Sequence, residues 1–236
     1  MFNRSAVINR LRGSAVLYLM IATIVIYLLQ NLSKLIFGAD LLVYYGSKIN
    51  TFILEGQFWR FLTPVFLHGS ILHIGFNMYA LFNIGPTLER RYGTDSFLVL
   101  YAVGAVFGNI FSFIFSPNAS LGSSTAIFGL IAAQAVYIYK NRTILGNAAN
   151  TMLRSVLMMI AVNLFLGLSP GIDNWGHLGG LFGGFLYAWF AGPSYEIAEN
   201  VFGENVVIRE KKRTAIVIAG LFLLAALLIL LRFVLT

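Results

Sequence analysis

The stretch GHLGGLFGG, from Gly176 to Gly184, places a histidine among glycines within an apolar run. If the run is helical, Gly176, Gly180 and Gly184 recur every four residues and form a small-xxx-small ladder, which lets a second helix approach closely. Gly180 and Gly184 follow His177 by three and seven residues, so they share its helix face. We therefore predict a transmembrane helix that packs tightly against a partner helix and brings His177 within reach of it.

The whole chain has the composition of a membrane protein. Its 236 residues are 58% hydrophobic and 11% charged, with a mean hydropathy of +0.81. A helix needs about 20 apolar residues to cross a bilayer, so the chain has room for roughly six or seven spans and for no separate soluble domain. We predict an all-α, polytopic helical bundle with about seven transmembrane helices. The apolar runs place them at residues 15–37, 68–88, 96–115, 123–139, 151–168, 175–192 and 214–235.

The distribution of basic residues predicts the orientation of these spans. If the N-terminus lies in the cytoplasm, most of the 16 basic residues fall on the cytoplasmic side, as positive-inside topology requires. These are Arg4, Arg10, Arg12, Arg90, Arg91, Lys140, Arg142, Arg154, Arg209, Lys211, Lys212 and Arg213. The outer side keeps only Lys34, Lys48, Arg60 and Arg232. Because the net charge of +7 is spread over alternate loops, it indicates topology and not a nucleic-acid partner.

This orientation divides the chain into four parts. Residues 1–14 are predicted to be a cytoplasmic N-terminal segment, and residues 15–192 a core of six helices. Residues 193–213 are predicted to be a charged cytoplasmic linker, and residues 214–236 an additional C-terminal helix. The outer loop at 38–67 is rich in aromatic residues, which indicates a segment that lies in the membrane interface.

Several kinds of chemistry lack the residues they need. The chain has no cysteine, which excludes disulfides, thiol catalysis and cysteine metal sites. It has no H-E-x-x-H motif for zinc, and no aspartate lies within a predicted span to form a carboxylate pair. We therefore expect neither a metal nor a cofactor.

Four polar residues fall at one depth in the predicted spans. Spans 2, 4 and 6 all enter from the outer side, which places His73, Asn77, Ser124 and His177 in the outer part of the membrane. Each alone has an ordinary explanation as a helix-packing or helix-start residue. Together they indicate a functional site, because polar groups at this depth are costly unless they face a cavity or one another.

The four residue types suit nucleophilic catalysis. Ser124 can act as nucleophile and His177 as its base. The start of span 4 offers free backbone N–H groups and a positive dipole end for an oxyanion, and His73 and Asn77 could add side-chain donors. Phe128, one turn below Ser124, could pack against the imidazole. Asp173, the only acidic residue near His177 in sequence, is expected to be exposed to solvent, so a Ser–His dyad is favoured over a triad.

At these residues the chain resembles the rhomboid family of intramembrane serine proteases, in its six-plus-one form. The resemblance covers nearly all of spans 1 to 6. It rests on WRFLTPVFLHGSILHIGFN from Trp59 to Asn77, ERRYG from Glu89 to Gly93, GSSTAIFGL from Gly122, and GHLGGLFGG from Gly176.

The resemblance implies a role for each motif residue. Ser124 matches the nucleophile and His177 the general base, while Ser123 occupies a variable position. The remaining matches are His73 and Asn77 as oxyanion-stabilising residues, Phe128 as the aromatic residue beside the histidine, Gly180 and Gly184 as close-packing glycines, and Trp59, Arg60 and His68 as structural residues. Thr125, where the family often has glycine, and Gly176, where it often has alanine, depart from the pattern.

The implied activity is hydrolysis of a peptide bond in a transmembrane segment of another membrane protein, near the outer face of the bilayer. Span 5, with Met158, Met159 and Phe165, is then a candidate lateral gate. The implied location is the plasma (inner) membrane, with an active site that opens to the outer side. One alternative is a non-catalytic rhomboid-like protein that binds transmembrane segments. A transporter or channel is less well supported, because it would place polar groups near the midplane.

Overall fold

The helices follow the apolar runs of the sequence. The structure, a computed structural model, describes residues 14–199, 204–209 and 214–234. These residues form ten α-helices, which are α1 (Ala15–Phe37), α2 (Leu41–Gly46), α3 (Asn50–Leu54), α4 (Ile71–Tyr92), α5 (Thr94–Phe115), α6 (Ser124–Lys140), α7 (Arg142–Leu145), α8 (Ala148–Leu166), α9 (Asn174–Ala191) and α10 (Thr214–Val234). The predicted segment 1–14 lies almost wholly outside the described residues, as do the basic residues of the linker at 211–213.

Seven of these helices, of 17 to 23 residues, coincide with the predicted spans. Four of them, α1, α5, α8 and α10, are long and apolar enough to cross a membrane on length and composition alone. Of the other three, α6 has only 17 residues, and α4 and α9 carry polar residues and glycines of the candidate site, which lower their hydropathy. The prediction of an all-α polytopic membrane protein is confirmed.

Glycines bring α9 against two helices at once. On one face, a Cβ at Gly180 would overlap the carbonyl oxygen of Thr125, and one at Gly184 would overlap that of Gly129, both in α6. On the adjacent face, a Cβ at Gly183 would lie 2.6 Å from Cβ of Phe107 in α5. Only glycine leaves room for such close backbone contact. Helices α5, α6 and α9 therefore form the tightly packed centre of the molecule.

The outer loop between α1 and α4 is ordered by contacts with the α5–α6 connection. It contains α2, α3 and two 3₁₀ turns, Phe58–Phe61 and Thr63–Phe66. Lys48 exchanges two backbone hydrogen bonds with Ser120, and its Nζ donates to the carbonyl oxygens of Ser116 and Asn118. The loop is thereby held over the residues that precede α6.

The C-terminal part differs from the predicted linker in having regular structure. Strands β1 (Tyr195–Glu199) and β2 (Asn205–Arg209) form an antiparallel pair in register Tyr195 to Arg209. Helix α10 then packs on the outside of α5 and α9. Only Leu221 and Ala225 of α10 are fully buried, so the helix is peripheral to the centre.

Candidate active site

Two helix starts meet at the candidate site. Helix α6 begins at Ser124, and His177 lies in the first turn of α9. Oγ of Ser124 is 3.0 Å from Nε2 of His177, which is hydrogen-bond distance. Because Gly180 and Gly184 let α9 approach the backbone of α6, the two side chains need no long reach. The pair can transfer a proton from the hydroxyl to the imidazole.

The imidazole of His177 is held by an aromatic ring. Phe128 stacks on it with ring centroids 4.1 Å apart and an interplanar angle of 11°. The other ring nitrogen, Nδ1, is buried and has no hydrogen-bond partner among the described residues. No carboxylate therefore accepts a hydrogen bond from Nδ1 within the described part of the chain, and stacking restrains the ring.

The expectation that Asp173 is exposed to solvent is wrong. Its side chain is half-buried and caps α9, since Oδ1 accepts a hydrogen bond from the Gly176 N–H at 3.0 Å. Oδ2 is buried without a hydrogen-bond partner among the described residues. Asp173 precedes His177 by one helical turn, and the backbone N–H of His177 donates to its carbonyl oxygen. The carboxylate is partly shielded from water because it lies against the start of α9, where it caps the helix.

His73 and Asn77 face the residues that lead into α6. A Cβ at Gly122 would lie 2.7 Å from Nε2 of His73 and 3.8 Å from Nδ2 of Asn77. Gly122 also has φ +124°, a backbone conformation that residues with a side chain rarely adopt. Glycine is therefore required there, both by this conformation and by the lack of space for a Cβ. The two side chains thus border the backbone two residues before Ser124.

His68 contacts the next residue of this backbone segment, Ser123. It is fully buried, and its Nε2 lies 3.4 Å from Ser123 Oγ and 3.5 Å from Ser123 N. Its ring meets that of His73 edge-on at 4.9 Å. Gln30 of α1 exchanges hydrogen bonds with the backbone N–H and carbonyl of His68. Ser123 Oγ is therefore directed toward His68, whereas Ser124 Oγ contacts His177.

Trp59 and Arg60 lie in the outer loop, apart from the Ser124–His177 pair. Trp59 Nε1 donates to the Tyr45 carbonyl, and Arg60 donates to the carbonyls of Ser47 and Tyr44. Burial lowers the pKa of the Arg60 guanidinium below its ordinary value, an effect that Tyr44 and then Glu55 oppose. These contacts hold the loop together.

Two residues near the site make contacts that the sequence did not predict. Thr125 fills the space between Gly108 of α5 and Gly176 of α9. Asn174 Nδ2 donates to the Leu164 carbonyl, which ties the C-terminal end of α8 to the start of α9. Both depend on which helices are neighbours, so neither could be found by spacing along one helix. Among the described residues, no cluster of three or more His, Cys, Asp or Glu side chains could hold a metal ion.

Comparisons with known proteins show which family the chain is similar to. Residues 55–194 match the model of the Rhomboid domain. The chain is 39% identical over 173 residues to Rhomboid protease GluP of Bacillus subtilis (strain 168), which covers 72% of this chain and 34% of that protein. It is 34% identical over 176 residues to RHOMBOID-like protein 9, chloroplastic, of Arabidopsis thaliana, with coverage of 72% and 41%. It is 39% identical over 160 residues to Rhomboid-like protease 1 of Toxoplasma gondii, with coverage of 64% and 53%.

The match extends over the part of the chain that forms the site. The aligned segments span about a third to a half of these relatives' own length. The matched domain contains the outer loop from residue 55 onward, the central helices α5, α6 and α9, and both members of the Ser124–His177 pair. This integral membrane protein therefore belongs to the rhomboid family.

Proposed function

We propose that the protein is an intramembrane serine endopeptidase that cleaves transmembrane segments of other membrane proteins by a Ser124–His177 dyad. The observation that carries the proposal is the 3.0 Å contact between Ser124 Oγ and His177 Nε2 at a helix start. Two relatives that carry the word protease in their names are consistent with it.

The dyad performs acyl transfer in two steps. His177 Nε2 takes the hydroxyl proton as Ser124 Oγ attacks the scissile carbonyl carbon, and the imidazolium then protonates the leaving amine. Water, deprotonated by the same imidazole, hydrolyses the acyl-enzyme and restores Ser124. Stacking on Phe128 keeps the ring plane fixed while its protonation state changes.

The oxyanion of each tetrahedral intermediate needs donors in place before the reaction. The first N–H groups of α6 are not used by the helix itself, and the helix dipole adds positive potential there. His73 and Asn77, which border Gly122, supply side-chain N–H groups on the same side. Such preorganised donors are commonly a large contribution to catalysis. The proposed chemistry uses only protein groups and water.

The substrate reaches the dyad from the bilayer. Helix α8 has only Ala149 and Val156 fully buried, and it exposes Met158 and Phe165 to lipid. Its outer end is held by the Asn174 to Leu164 hydrogen bond. A weakly packed helix beside the site is a suitable lateral gate, and a substrate helix that unwinds there can present its carbonyl to Ser124. The site opens to the outer face of the plasma membrane, with the N-terminus in the cytoplasm.

The decisive experiment uses the purified protein reconstituted with a model transmembrane substrate. We expect the parent to cleave it, and Ser124→Ala and His177→Ala to lose about 10³-fold or more in rate. Thr143→Ala, which removes an exposed hydroxyl group in α7 at the end of the bundle opposite the site, is the matched control and should retain parental cleavage. A fluorophosphonate should modify Ser124, as mapped by mass spectrometry of the labelled peptide.

Persistent cleavage in either dyad variant would contradict the assignment. If the parent binds the substrate and cleaves none of a varied panel, the alternative applies, namely a non-catalytic rhomboid-like protein that binds transmembrane segments. That alternative also predicts no fluorophosphonate adduct on Ser124, so labelling separates the two functions without any knowledge of the natural substrate.

A further inference from the structure

Thr125, the residue after Ser124, is enclosed by two helices other than its own. A Cβ at Gly108 of α5 would lie 2.5 Å from Thr125 Cβ and 2.7 Å from its Cγ2. A Cβ at Gly176 of α9 would lie 3.1 Å from the same Cγ2. The methyl group therefore sits in a notch that the two glycines leave open.

The hydroxyl of Thr125 adds no hydrogen bond that would explain the residue. Oγ1 is buried and has no hydrogen-bond partner among the described residues. The backbone of Thr125 also contacts α9, since its carbonyl oxygen occupies the place that a Cβ at Gly180 would take. The side chain of Thr125 therefore contributes to helix packing through its shape and not through a hydrogen bond.

The notch lies directly beside the dyad. Ser124 and Thr125 are neighbours in the first turn of α6, and Gly176 and His177 are neighbours in the first turn of α9. The contact between Thr125 and residue 176 therefore joins the same two backbones as the contact between Ser124 and His177. A shift of a few tenths of an ångström between those backbones changes the Oγ to Nε2 distance by a similar amount, and proton transfer is sensitive to it.

We propose that Thr125 is a positioning residue, whose Cγ2 methyl, seated against Gly108 and Gly176, sets the separation of Ser124 and His177. The proposal rests on the proposed function, because the separation matters only if the two side chains act together. It also explains why Thr125 and Gly176 depart from the family pattern together. The methyl group at position 125 needs space, and the glycine at position 176 provides it.

A methyl-transfer cycle tests the proposal. Thr125→Ser removes Cγ2, Gly176→Ala adds a methyl group at the neighbouring position, and the double variant T125S/G176A does both. A Cβ at position 176 would also lie 2.9 Å from Asp173 Oδ2, but this contact is common to the single and double variants and cancels in the cycle. The measured quantities are the rate and the final extent of Ser124 modification by a fluorophosphonate, each as a function of pH.

We expect each single variant to slow modification about fivefold or more, and the double variant to be modified no more slowly than Gly176→Ala, so that the two effects do not multiply. Thr125→Val keeps the shape and should stay within about threefold of the parental rate. In the slowed variants the part of the pH profile that is due to His177 should shrink relative to the part that follows hydroxide concentration. A purely structural loss would lower the final extent of modification and leave the pH profile of the remaining protein unchanged. Ile131→Val removes one buried methyl deeper in α6 and should change neither rate nor profile.

If the parent is labelled at Ser124, either of two results would overturn the proposal. The effects of the single variants could multiply in the double variant, which would show that the methyl group does not couple the two positions. Thr125→Val could be as slow as Thr125→Ser, which would assign the effect to the hydroxyl. If the parent is not labelled at Ser124, or if Ser124→Ala cleaves substrate, the proposed function fails and this proposal with it.

Discussion

Lys48 shows how a single residue organises the outer surface above the site. Its side chain is fully buried, yet Nζ donates to two backbone carbonyls, those of Ser116 and Asn118. Burial lowers the pKa of Lys48 to about 8, an effect that Asp173 partly opposes. The charge is tolerated because the carbonyl oxygens replace the lost water. Lys48 thus fastens the outer loop to the connection that leads into α6.

This pKa predicts how stability depends on pH. In the unfolded chain Lys48 keeps its proton up to about pH 10.5, whereas in the folded protein it releases the proton above about pH 8. Between these values the unfolded state binds more protons, so the free energy of unfolding rises with pH, by about 1 kcal/mol from pH 7.5 to 9. The check is the melting midpoint in detergent at both pH values for the parent and Lys48→Met. Only the parent should gain stability, and an equal gain in both proteins would contradict the pKa assignment.

At the scale of the element, α9 determines whether the candidate site exists. Its first turn carries His177, capped by Asp173, while its glycines lower down allow contact with α5 and α6. Gly184 stands against the backbone of Gly129, where no side chain can rotate out of the way. A methyl group here forces the two helix axes apart, and the separation is transmitted up to the helix starts.

We expect Gly184→Ala to lower the free energy of unfolding by about 3 kcal/mol, because the clash is with backbone. Gly220→Ala in α10 is the matched control, since a Cβ at Gly220 has nothing within 4 Å. Alanine favours a helix over glycine, so this control should be neutral or gain up to about 1 kcal/mol. Unfolding in mixed micelles with a denaturing detergent measures both. Equal stability of the two variants would show that the glycine contact is not needed.

At the scale of the whole molecule, charge and polarity are divided between two faces. The candidate site and the loop held by Lys48 lie at the end of the bundle where α6 and α9 begin. The opposite end carries Arg90, Arg91, Lys140 and Arg142. Positive residues are retained on the cytoplasmic side of membrane proteins, so the site should face outward.

The absence of cysteine makes this orientation directly testable, because single cysteines can be introduced without background. Ser169→Cys lies in the exposed connection between α8 and α9, and Thr143→Cys lies in the exposed helix α7 at the other end. We expect a membrane-impermeant maleimide to label the first variant in intact cells, and the second only after the membrane is permeabilised. The reverse pattern would contradict the orientation.

The helical membrane fold could be predicted from the sequence because it depends on local composition. Apolar runs of spanning length have few alternatives in a bilayer, and helix bounds deviated by only a few residues, as in α4, predicted at 68–88 and found at Ile71–Tyr92. Family motifs also pointed to Ser124 and His177. The strands at 195–199 and 205–209 were missed, because two strands of only five residues each give a weak local signal.

Sequence alone therefore determined that the chain is a polytopic helical membrane protein, and which residues are chemically able to react. Tertiary structure decided what each of them touches. It made Asp173 the cap of α9, turned Ser123 toward His68, and placed Thr125 between two glycines from different helices. The physical reason is that hydrophobicity and helix periodicity act along one segment, whereas these contacts arise only when backbones far apart in sequence are packed against each other.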